Sequence, residues 1–237
     1  MNKCVVLFSG GQDSTTCLLY ALKNFGSVFT LGFSYGQRHS QELDCRQDIL
    51  AQIRQNKPEL ARKLESDFVC DVTTLSSLTS SALTSDRPIE RVGDSLPTSF
   101  VPARNLIFLS LAGSFAYEHD VQTIIMGVSQ VDYSGYPDCR EPAIKSMAQS
   151  LTLGLDRPME ILTPLMSLSK ADTFSLAMSL AGSWGLDLIV EHTLSCYLGD
   201  MSHKNSWGYG CGKCPACVLR CHGYEEFVAK TSTNALT

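Results

Sequence analysis

The sequence lacks a run of the roughly 20 apolar residues that a helix needs to cross a bilayer. Its most apolar stretch, LIFLSLAGSFAY, ends in Glu118, His119 and Asp120. The N-terminus, MNKCVVLFSGGQDS, is interrupted at Ser9 before it can form the apolar core of a secretory signal. These absences predict a cytoplasmic protein without a membrane role.

Basic residues form no run along the chain, and the net charge is -5. Proteins that bind polynucleotides neutralise phosphates with a broad basic face. The charge pattern therefore predicts a small-molecule substrate and no direct nucleic-acid contact. A basic patch that assembles only on folding is the alternative.

Two common phosphate-binding patterns are also missing, namely a P-loop ending in Gly-Lys-Ser or Gly-Lys-Thr and the spacing GxGxxG. Their absence argues against kinases, GTPases and dinucleotide-dependent dehydrogenases. What is present is an alternation of short apolar, β-branched runs with helical segments. CVVLF, SVFTLGFSY, FVCDV and TIIMGV are the predicted strands. At 237 residues, this alternation predicts a single α/β domain over residues 1–237 with a parallel sheet.

Two helix starts carry recognisable signals. Pro102 suits the first turn of a helix through NLIFLSLAGSFAY, because a helix start does not need the missing N–H. Ser169 and Asp172, in SKAD, have the spacing of a capping box.

The segment SGGQDS lies between the first predicted strand and the first predicted helix, at the sheet edge where α/β proteins bind ligands. Glycines let the backbone approach an anion, and the helix N-terminus supplies N–H groups. A simple tight turn is the alternative. The predicted nucleotide-binding residues are Phe8, Ser9, Gly10, Gly11, Gln12, Asp13, Ser14, Thr15, Thr16, Cys17 and Leu18.

The ten cysteines are unevenly distributed, with five between Cys196 and Cys221. Cys211, Cys214 and Cys217 form CGKCPAC, and Cys196 lies upstream as a fourth thiol. Four thiolates match tetrahedral Zn²⁺, so a structural zinc site is predicted within residues 194–222. A redox CxxC pair and an iron–sulfur cluster are the alternatives. Cys221 and His222 are spare candidate ligands. A reducing cytosol and the uneven distribution of the cysteines argue against a disulfide framework.

SGGQDS resembles the SGGxDS loop of the ATP pyrophosphatases, or PP-loop enzymes, which cleave ATP to AMP and pyrophosphate. That resemblance implies a Rossmann-like fold of the adenine nucleotide alpha hydrolase type, a magnesium-handling role for Asp13 and a phosphate-facing role for Lys170. With FVPARN, DYSGYPDCR, TPLMSLSKAD and CGKCPACVLR in this order, the chain resembles the QueC family of 7-cyano-7-deazaguanine synthases over residues 3–227.

This family resemblance implies that ATP activates 7-carboxy-7-deazaguanine, that ammonia is the nitrogen source, that Mg²⁺ and Zn²⁺ are cofactors, and that the protein is a homodimer. DYSGYPDCR follows a predicted strand, so it is expected at the same sheet edge as SGGQDS. Capping turns are the alternative for its acidic residues. The predicted substrate or phosphate contacts are Arg104, Asn105, Asp132, Tyr133, Tyr136, Asp138 and Arg140.

Some positions depart from the family pattern. Ala103 stands where Gly is usual, residues 128–131 are uncommon, and the interval from Cys196 to Cys211 is long. A relative that stops at the amide, or that joins the acid to another amine such as a protein N-terminus, is therefore an alternative. A tRNA-thiolating enzyme would need a basic face, and a noncatalytic zinc-ribbon adaptor would leave SGGQDS and Lys170 unexplained.

Overall fold

A five-stranded parallel sheet forms the centre of the computed structural model, which describes residues 2–39, 41–90, 93, 95–131 and 135–234. The strand order is β3-β2-β1-β4-β5, and all four pairings are parallel. The strands are β1 (Lys3–Leu7), β2 (Ser27–Ser34), β3 (Leu64–Asp71), β4 (Thr123–Ile125) and β5 (Glu160–Leu162). The four predicted strands are confirmed, whereas β5 was not predicted.

Helices cover both faces of the sheet. They are α1 (Gln12–Asn24), α2 (Gln41–Asn56), α3 (Pro58–Ala61), α4 (Thr74–Leu78), α5 (Arg104–Glu118), α6 (Glu141–Gly154), α7 (Lys170–His192) and α8 (Pro215–Asn234). A 3-10 turn spans Pro137–Cys139, and a small antiparallel pair joins β6 (Lys204–Asn205) to β7 (Gly208–Tyr209).

The central strand β1 is buried on both sides because successive side chains point to opposite faces. Cys4 and Val6 join a core with α1, α2, α7 and α8. Val5 and Leu7 join a second core with α5 and α6. The continuous apolar run CVVLF is thus explained by helices on both faces of the sheet.

Helix α5 begins at Arg104, so the prediction that Pro102 occupies its first turn was wrong. The residue between them, Ala103, has φ 59° and ψ 10°, the left-handed conformation. A left-handed residue cannot continue a right-handed helix, and the helix therefore starts after it.

Replacing Ala103 by Gly is expected to stabilise the protein by about 0.5–1 kcal/mol, because the left-handed conformation strains residues with a Cβ more than it does glycine. Urea denaturation measures the change. Ala229, exposed inside α8, is the matched control. Ala229→Gly should instead destabilise by about 0.5–1 kcal/mol, and two changes of the same sign would contradict the explanation.

Helix α7 carries the predicted capping box: Asp172 donates its backbone N–H to Ser169 Oγ at 3.2 Å, and the Asp172 carboxylate accepts the Ser169 N–H at 3.3 Å. Among the described residues, α7 is the one helix long and apolar enough by composition to span a membrane, which corrects the prediction that no such stretch exists. Its apolar side chains, including Phe174, Ala177 and Ile189, lie in the core. A break at Gly182 divides the helix.

Candidate nucleotide-binding cleft and metal centre

A cleft of about 330 Å³ lies at the carboxyl edge of the sheet. Its walls come from the segments that follow β1, β2 and β4 and from the starts of α5, α7 and α8. The predicted residues that line it are Phe8, Ser9, Gly11, Gln12, Asp13, Ser14, Arg104, Asn105, Tyr136, Lys170 and Cys196. Sequence motifs separated by more than 180 residues therefore meet at one site.

The loop between β1 and α1 has the shape of an anion-binding turn. Gly10 has φ 91°, and a Cβ there would lie 2.4 Å from the Glu42 carbonyl oxygen, so both conformation and space require glycine. The Ser14 hydroxyl accepts the backbone N–H groups of Ser9 and Gly10, each at 3.2 Å. The N-terminus of α1 points into the cleft and favours negative charge there.

Asp13 and Lys170 form an ion pair between the starts of α1 and α7. Lys170 Nζ lies 2.9 and 2.8 Å from the two carboxylate oxygens of Asp13. The Lys170 side chain is 10% exposed and that of Asp13 is 30% exposed, so the carboxylate retains access to the cleft. A cation and an available carboxylate beside an anion-binding turn suit a polyphosphate with Mg²⁺, which prefers oxygen ligands.

Gln12 is 2% exposed, yet it lines the cleft. Within the described part of the chain, neither its side-chain nitrogen nor its oxygen has a hydrogen-bond partner. Buried polar groups without partners are rare in folded proteins, and at ligand sites they mark positions that a ligand satisfies. The orphaned amide therefore supports a polar ligand at this end of the cleft.

The rest of the predicted nucleotide segment turns away from the cleft. Thr15 and Thr16 donate their hydroxyls to the carbonyls of Gly11 and Gln12. Cys17 and Leu18 lie in the core, and burial raises the pKa of the Cys17 thiol. These side chains fix α1 against the sheet, and only one face of the start of the helix borders the cleft.

The four predicted metal ligands converge, with their sulfur atoms all within 4.8 Å of one another. Cys196 Sγ lies 4.0 Å from Cys214 Sγ, and Cys211 Sγ lies 3.9 Å from Cys217 Sγ. A tetrahedral site with Zn–S bonds of about 2.3 Å requires sulfurs about 3.8 Å apart. The four cysteines therefore fit such an ion.

Local hydrogen bonds prepare the sulfurs for a cation. The backbone N–H groups of Lys213 and Cys214 point at Cys211 Sγ at 3.4 and 3.3 Å. Hydrogen bonding from the Cys214 and Cys217 thiols lowers the pKa of Cys196. The long interval before Cys211 contains β6 and β7, which double back and return the chain to the cluster. Cys221 and His222, the spare candidates, lie outside the cluster.

Comparison with known proteins agrees with this geometry. The family model for the queuosine biosynthesis protein QueC matches residues 3–228. The chain belongs to the QueC family. A 7-cyano-7-deazaguanine synthase of Polaromonas sp. is 50% identical over 98% of both chains. One of Bradyrhizobium sp. is 50% identical over 95% of this chain and 94% of the relative.

A solved structure of a 4-thiouridine synthetase in complex with RNA and ATP superposes with a TM-score of 0.53 at 19% identity. The match covers 96% of this QueC-family chain but 53% of the synthetase chain, so the chain spans about half that protein's length. At this identity the likeness concerns the fold alone. The predicted PP-loop-type fold is confirmed.

The predicted substrate segment of this QueC-family chain is only partly at the cleft. Asp138 does not line it, because its carboxylate accepts the Asn105 backbone N–H at 3.1 Å and thereby holds the start of α5. Arg140 is exposed and donates to the Gly135 carbonyl at 3.4 Å. Asp132 and Tyr133 lie outside the described residues.

Tyr136 does line the cleft, and its hydroxyl lies 2.7 Å from Ser99 Oγ. Beside it, the Asn105 amide lies 3.1 Å from Cys139 Sγ. Of the seven predicted substrate or phosphate contacts, the described residues that line the cleft are therefore Arg104, Asn105 and Tyr136.

Sequence reasoning missed the opposite wall, formed by the segment that follows β2. Tyr35, His39 and Glu42 from this segment line the cleft. The guanidinium of Arg104 lies 5.6 Å from the Tyr35 ring centre and 5.9 Å from that of Phe108. Its Nε atom is buried without a hydrogen-bond partner among the described residues. The signal was the position of YGQRHSQEL at the same sheet edge as SGGQDS.

Burial raises the pKa of Glu42 from 4.5 to about 7, although the charge of Arg104 opposes the rise. The folded protein therefore binds a proton that the unfolded chain has released between about pH 4.5 and 7. The contribution of Glu42 to stability is lost as the pH rises through this window. Above it, the ionised carboxylate, which is only partly exposed, destabilises the fold.

Replacement of Glu42 by Gln is expected to leave the unfolding free energy similar at pH 4.5 and to raise it relative to the native chain at pH 8. Urea titrations at both pH values measure the difference. Asp44, exposed in the same first turn of α2, is the control. A pH-independent effect of Glu42→Gln, equal to that of Asp44→Asn, would contradict the prediction.

Proposed function

We propose that this chain converts 7-carboxy-7-deazaguanine and ammonia, with ATP, into 7-cyano-7-deazaguanine. Family membership over residues 3–228 carries the proposal, and the named relatives are 7-cyano-7-deazaguanine synthases. The Asp13–Lys170 pair beside the glycine turn supports it, since the reaction requires a place for departing pyrophosphate.

In the first step, a substrate carboxylate oxygen attacks the α-phosphorus of ATP, and the bond to the β-phosphate breaks. The products are an acyl adenylate and pyrophosphate. Backbone N–H groups in the first turn of α1 and the Lys170 ammonium would hold the negative charge that develops on pyrophosphate. Mg²⁺ bound through Asp13 would neutralise part of the same charge.

In the second step, ammonia attacks the acyl carbon, AMP leaves with the electron pair of the bond that joined its oxygen to that carbon, and a proton is released as the amide forms. The amide oxygen then attacks a second ATP and releases a second pyrophosphate. Loss of both N–H protons, together with departure of AMP carrying the former amide oxygen, leaves the carbon–nitrogen triple bond. These steps need no protein nucleophile, so the residues act by orientation and charge stabilisation.

The deazaguanine ring would lie at the aromatic end of the cleft, where Tyr35, Tyr136 and Tyr197 supply flat surfaces. Arg104, whose Nε lacks a partner among the described residues, is suited to the substrate carboxylate or to the α-phosphate. Asn105 would contact the ring. The substrate carboxylate would then lie between the aromatic end of the cleft and Lys170, where it could attack the α-phosphorus of ATP.

The four-cysteine centre would bind Zn²⁺ in a closed structural site, since no coordination position remains for substrate. We further propose a cytoplasmic homodimer, which rests on the family resemblance alone.

The deciding experiment incubates the purified protein with 7-carboxy-7-deazaguanine, Mg-ATP and ammonium, and follows the deazaguanine products by mass spectrometry. The proposal requires the nitrile and two pyrophosphates per nitrile. Accumulation of amide, or of a conjugate when amines or proteins are added, would replace the nitrile synthase by an amide-forming ligase. Absence of any ATP-dependent product would overturn the proposal.

A further inference from the structure

Arg220 is a buried cation that sits between the cysteine cluster and the cleft. It lies on α8 three residues after Cys217, is 1% exposed and lines the cleft. Its guanidinium donates to the carbonyls of Ile189 at 2.8 Å, Trp207 at 2.9 Å and Thr193 at 3.3 Å, and to Ser195 Oγ at 3.4 Å.

The charge of Arg220 is solvated by carbonyl dipoles, and it forms no salt bridge with a carboxylate in the part of the chain that the structure describes. Burial lowers the pKa of Arg220 to about 10, while the charge of Asp13 opposes the change. Buried charges without a paired counterion are uncommon in proteins. The thiolates of the neighbouring cluster supply part of the compensating negative charge, and an anionic ligand in the adjoining cleft would add to it.

The space for Arg220 is provided by a glycine. Gly208 has φ 118°, and a Cβ there would lie 2.4 Å from an Arg220 guanidinium nitrogen. The β6–β7 pair thus closes around the arginine, so its position is fixed by backbone atoms on several sides and is not that of a mobile surface side chain.

The segment that accepts hydrogen bonds from Arg220 also bonds to the loop between β1 and α1, residues 8–11, which we call the phosphate loop. Ser195 Oγ accepts the backbone N–H of Gln12 at 3.4 Å. The adjacent Leu194 donates its N–H to the Gly10 carbonyl at 3.3 Å. The next residue, Cys196, belongs to the metal-binding cluster. One short segment therefore touches the loop on one side and the cysteines on the other.

We propose that Ser195 and Arg220 couple the metal centre to nucleotide binding by fixing the phosphate loop in its anion-binding shape. Arg220 is a positioning residue that acts through Ser195, and its charge adds to the attraction for the polyphosphate of a nucleoside triphosphate. The inference rests on the proposed use of ATP. Because linkage is reciprocal, bound nucleotide must also retain the metal more firmly.

The test uses the zinc-loaded protein, Mg²⁺ and α,β-methylene ATP, whose bond between the α- and β-phosphates is not cleaved. Calorimetry gives the nucleotide affinity, and competition with a chelating dye gives the affinity for zinc. In the native chain, saturating nucleotide is expected to raise the zinc affinity roughly 3- to 10-fold, near the lower end of typical couplings between sites.

Ser195→Ala is expected to weaken nucleotide binding roughly 5-fold, the effect of losing a hydrogen bond, and to abolish the effect of nucleotide on the zinc affinity. Ser179→Ala, on the exposed side of α7, is the matched control and should change neither quantity. Arg220→Lys keeps the charge but loses the fork of donors, so it should resemble Ser195→Ala.

A Ser195→Ala protein with native nucleotide affinity and a native effect of nucleotide on the zinc affinity would overturn the coupling. Nucleotide binding to the native chain without any change in the zinc affinity would overturn it as well, while leaving the proposed function intact. No nucleotide binding to the native chain would overturn both.

Discussion

Replacing Asp13 by Asn is expected to reduce ATP-dependent pyrophosphate release by at least about 100-fold, the usual effect of losing one preorganised charged group from a transition state. Asn has nearly the same shape but cannot neutralise Lys170 or bind Mg²⁺ as a carboxylate does. Lys170 Nζ lies 2.8–2.9 Å from both Asp13 oxygens. The substitution therefore removes the negative charge at the start of α1 that balances the Lys170 ammonium at the start of α7.

The same substitution should change the unfolding free energy by only about 1 kcal/mol, because Asp13 is partly solvated and ion pairs of this kind contribute little to stability. Pyrophosphate release and urea denaturation, measured on one preparation, separate the two effects. Asp48→Asn, at an exposed carboxylate of α2 that pairs with His192, is the control and should retain full turnover. Turnover of Asp13→Asn within 10-fold of the native rate would exclude a role for this carboxylate in pyrophosphate departure.

Substituting Cys214 by Ser is expected to abolish zinc binding and to lower the melting temperature by roughly 10 °C or more, since a structural zinc site contributes several kcal/mol to folding. Cys214 is buried, and its sulfur lies 4.0 Å from that of Cys196. Three remaining thiolates without a cation would repel one another in a buried site. The cluster joins the start of α8 to the end of α7, so both elements should loosen together.

Metal content by mass spectrometry and thermal unfolding by circular dichroism measure the two consequences. Cys221→Ser is the matched control, because Cys221 lies one turn beyond Cys217, outside the cluster, and its thiol contacts Glu225. That variant should retain zinc and melt within about 2 °C of the native protein, because Cys221 is only partly buried and Cys→Ser is a small change. Equal losses in both variants would show that a general effect of cysteine removal, and not the metal, determines stability.

Local patterns predicted the strands and the capping box well because each depends on neighbouring residues. CVVLF reads as a buried strand from its composition, and Ser169 and Asp172 meet across three residues. The three-residue strand β5 is too short to show a period, and its identity comes from pairing with β4. The true start of α5 depends on the left-handed backbone of Ala103, which the sequence does not display.

The candidate site could be predicted where its key residues lie close together in one short motif. SGGQDS and CGKCPAC place their key atoms within a few residues; the structure places the first at a cleft on the sheet edge and the second in a cluster of four thiols. The roles of Glu42 and Arg220 depend on contacts with residues distant in sequence, so no local pattern predicts them. Asp138 illustrates the converse, because a polar residue in a suggestive motif instead holds the start of a helix.

The strand order has a consequence for how such a protein can change its substrate. β1 lies between β2 and β4, and the chain leaves β1 toward one side of the sheet and reaches β4 on the other. At this topological switch point the connecting segments diverge, and the crevice between them exists because of the backbone path. The opening and its phosphate loop therefore come with the fold, whereas the aromatic end of the cleft, with Tyr35, Tyr136 and Tyr197, is built from separate segments. A new acyl substrate could be accommodated by substitutions at that end while the phosphate loop stays unchanged.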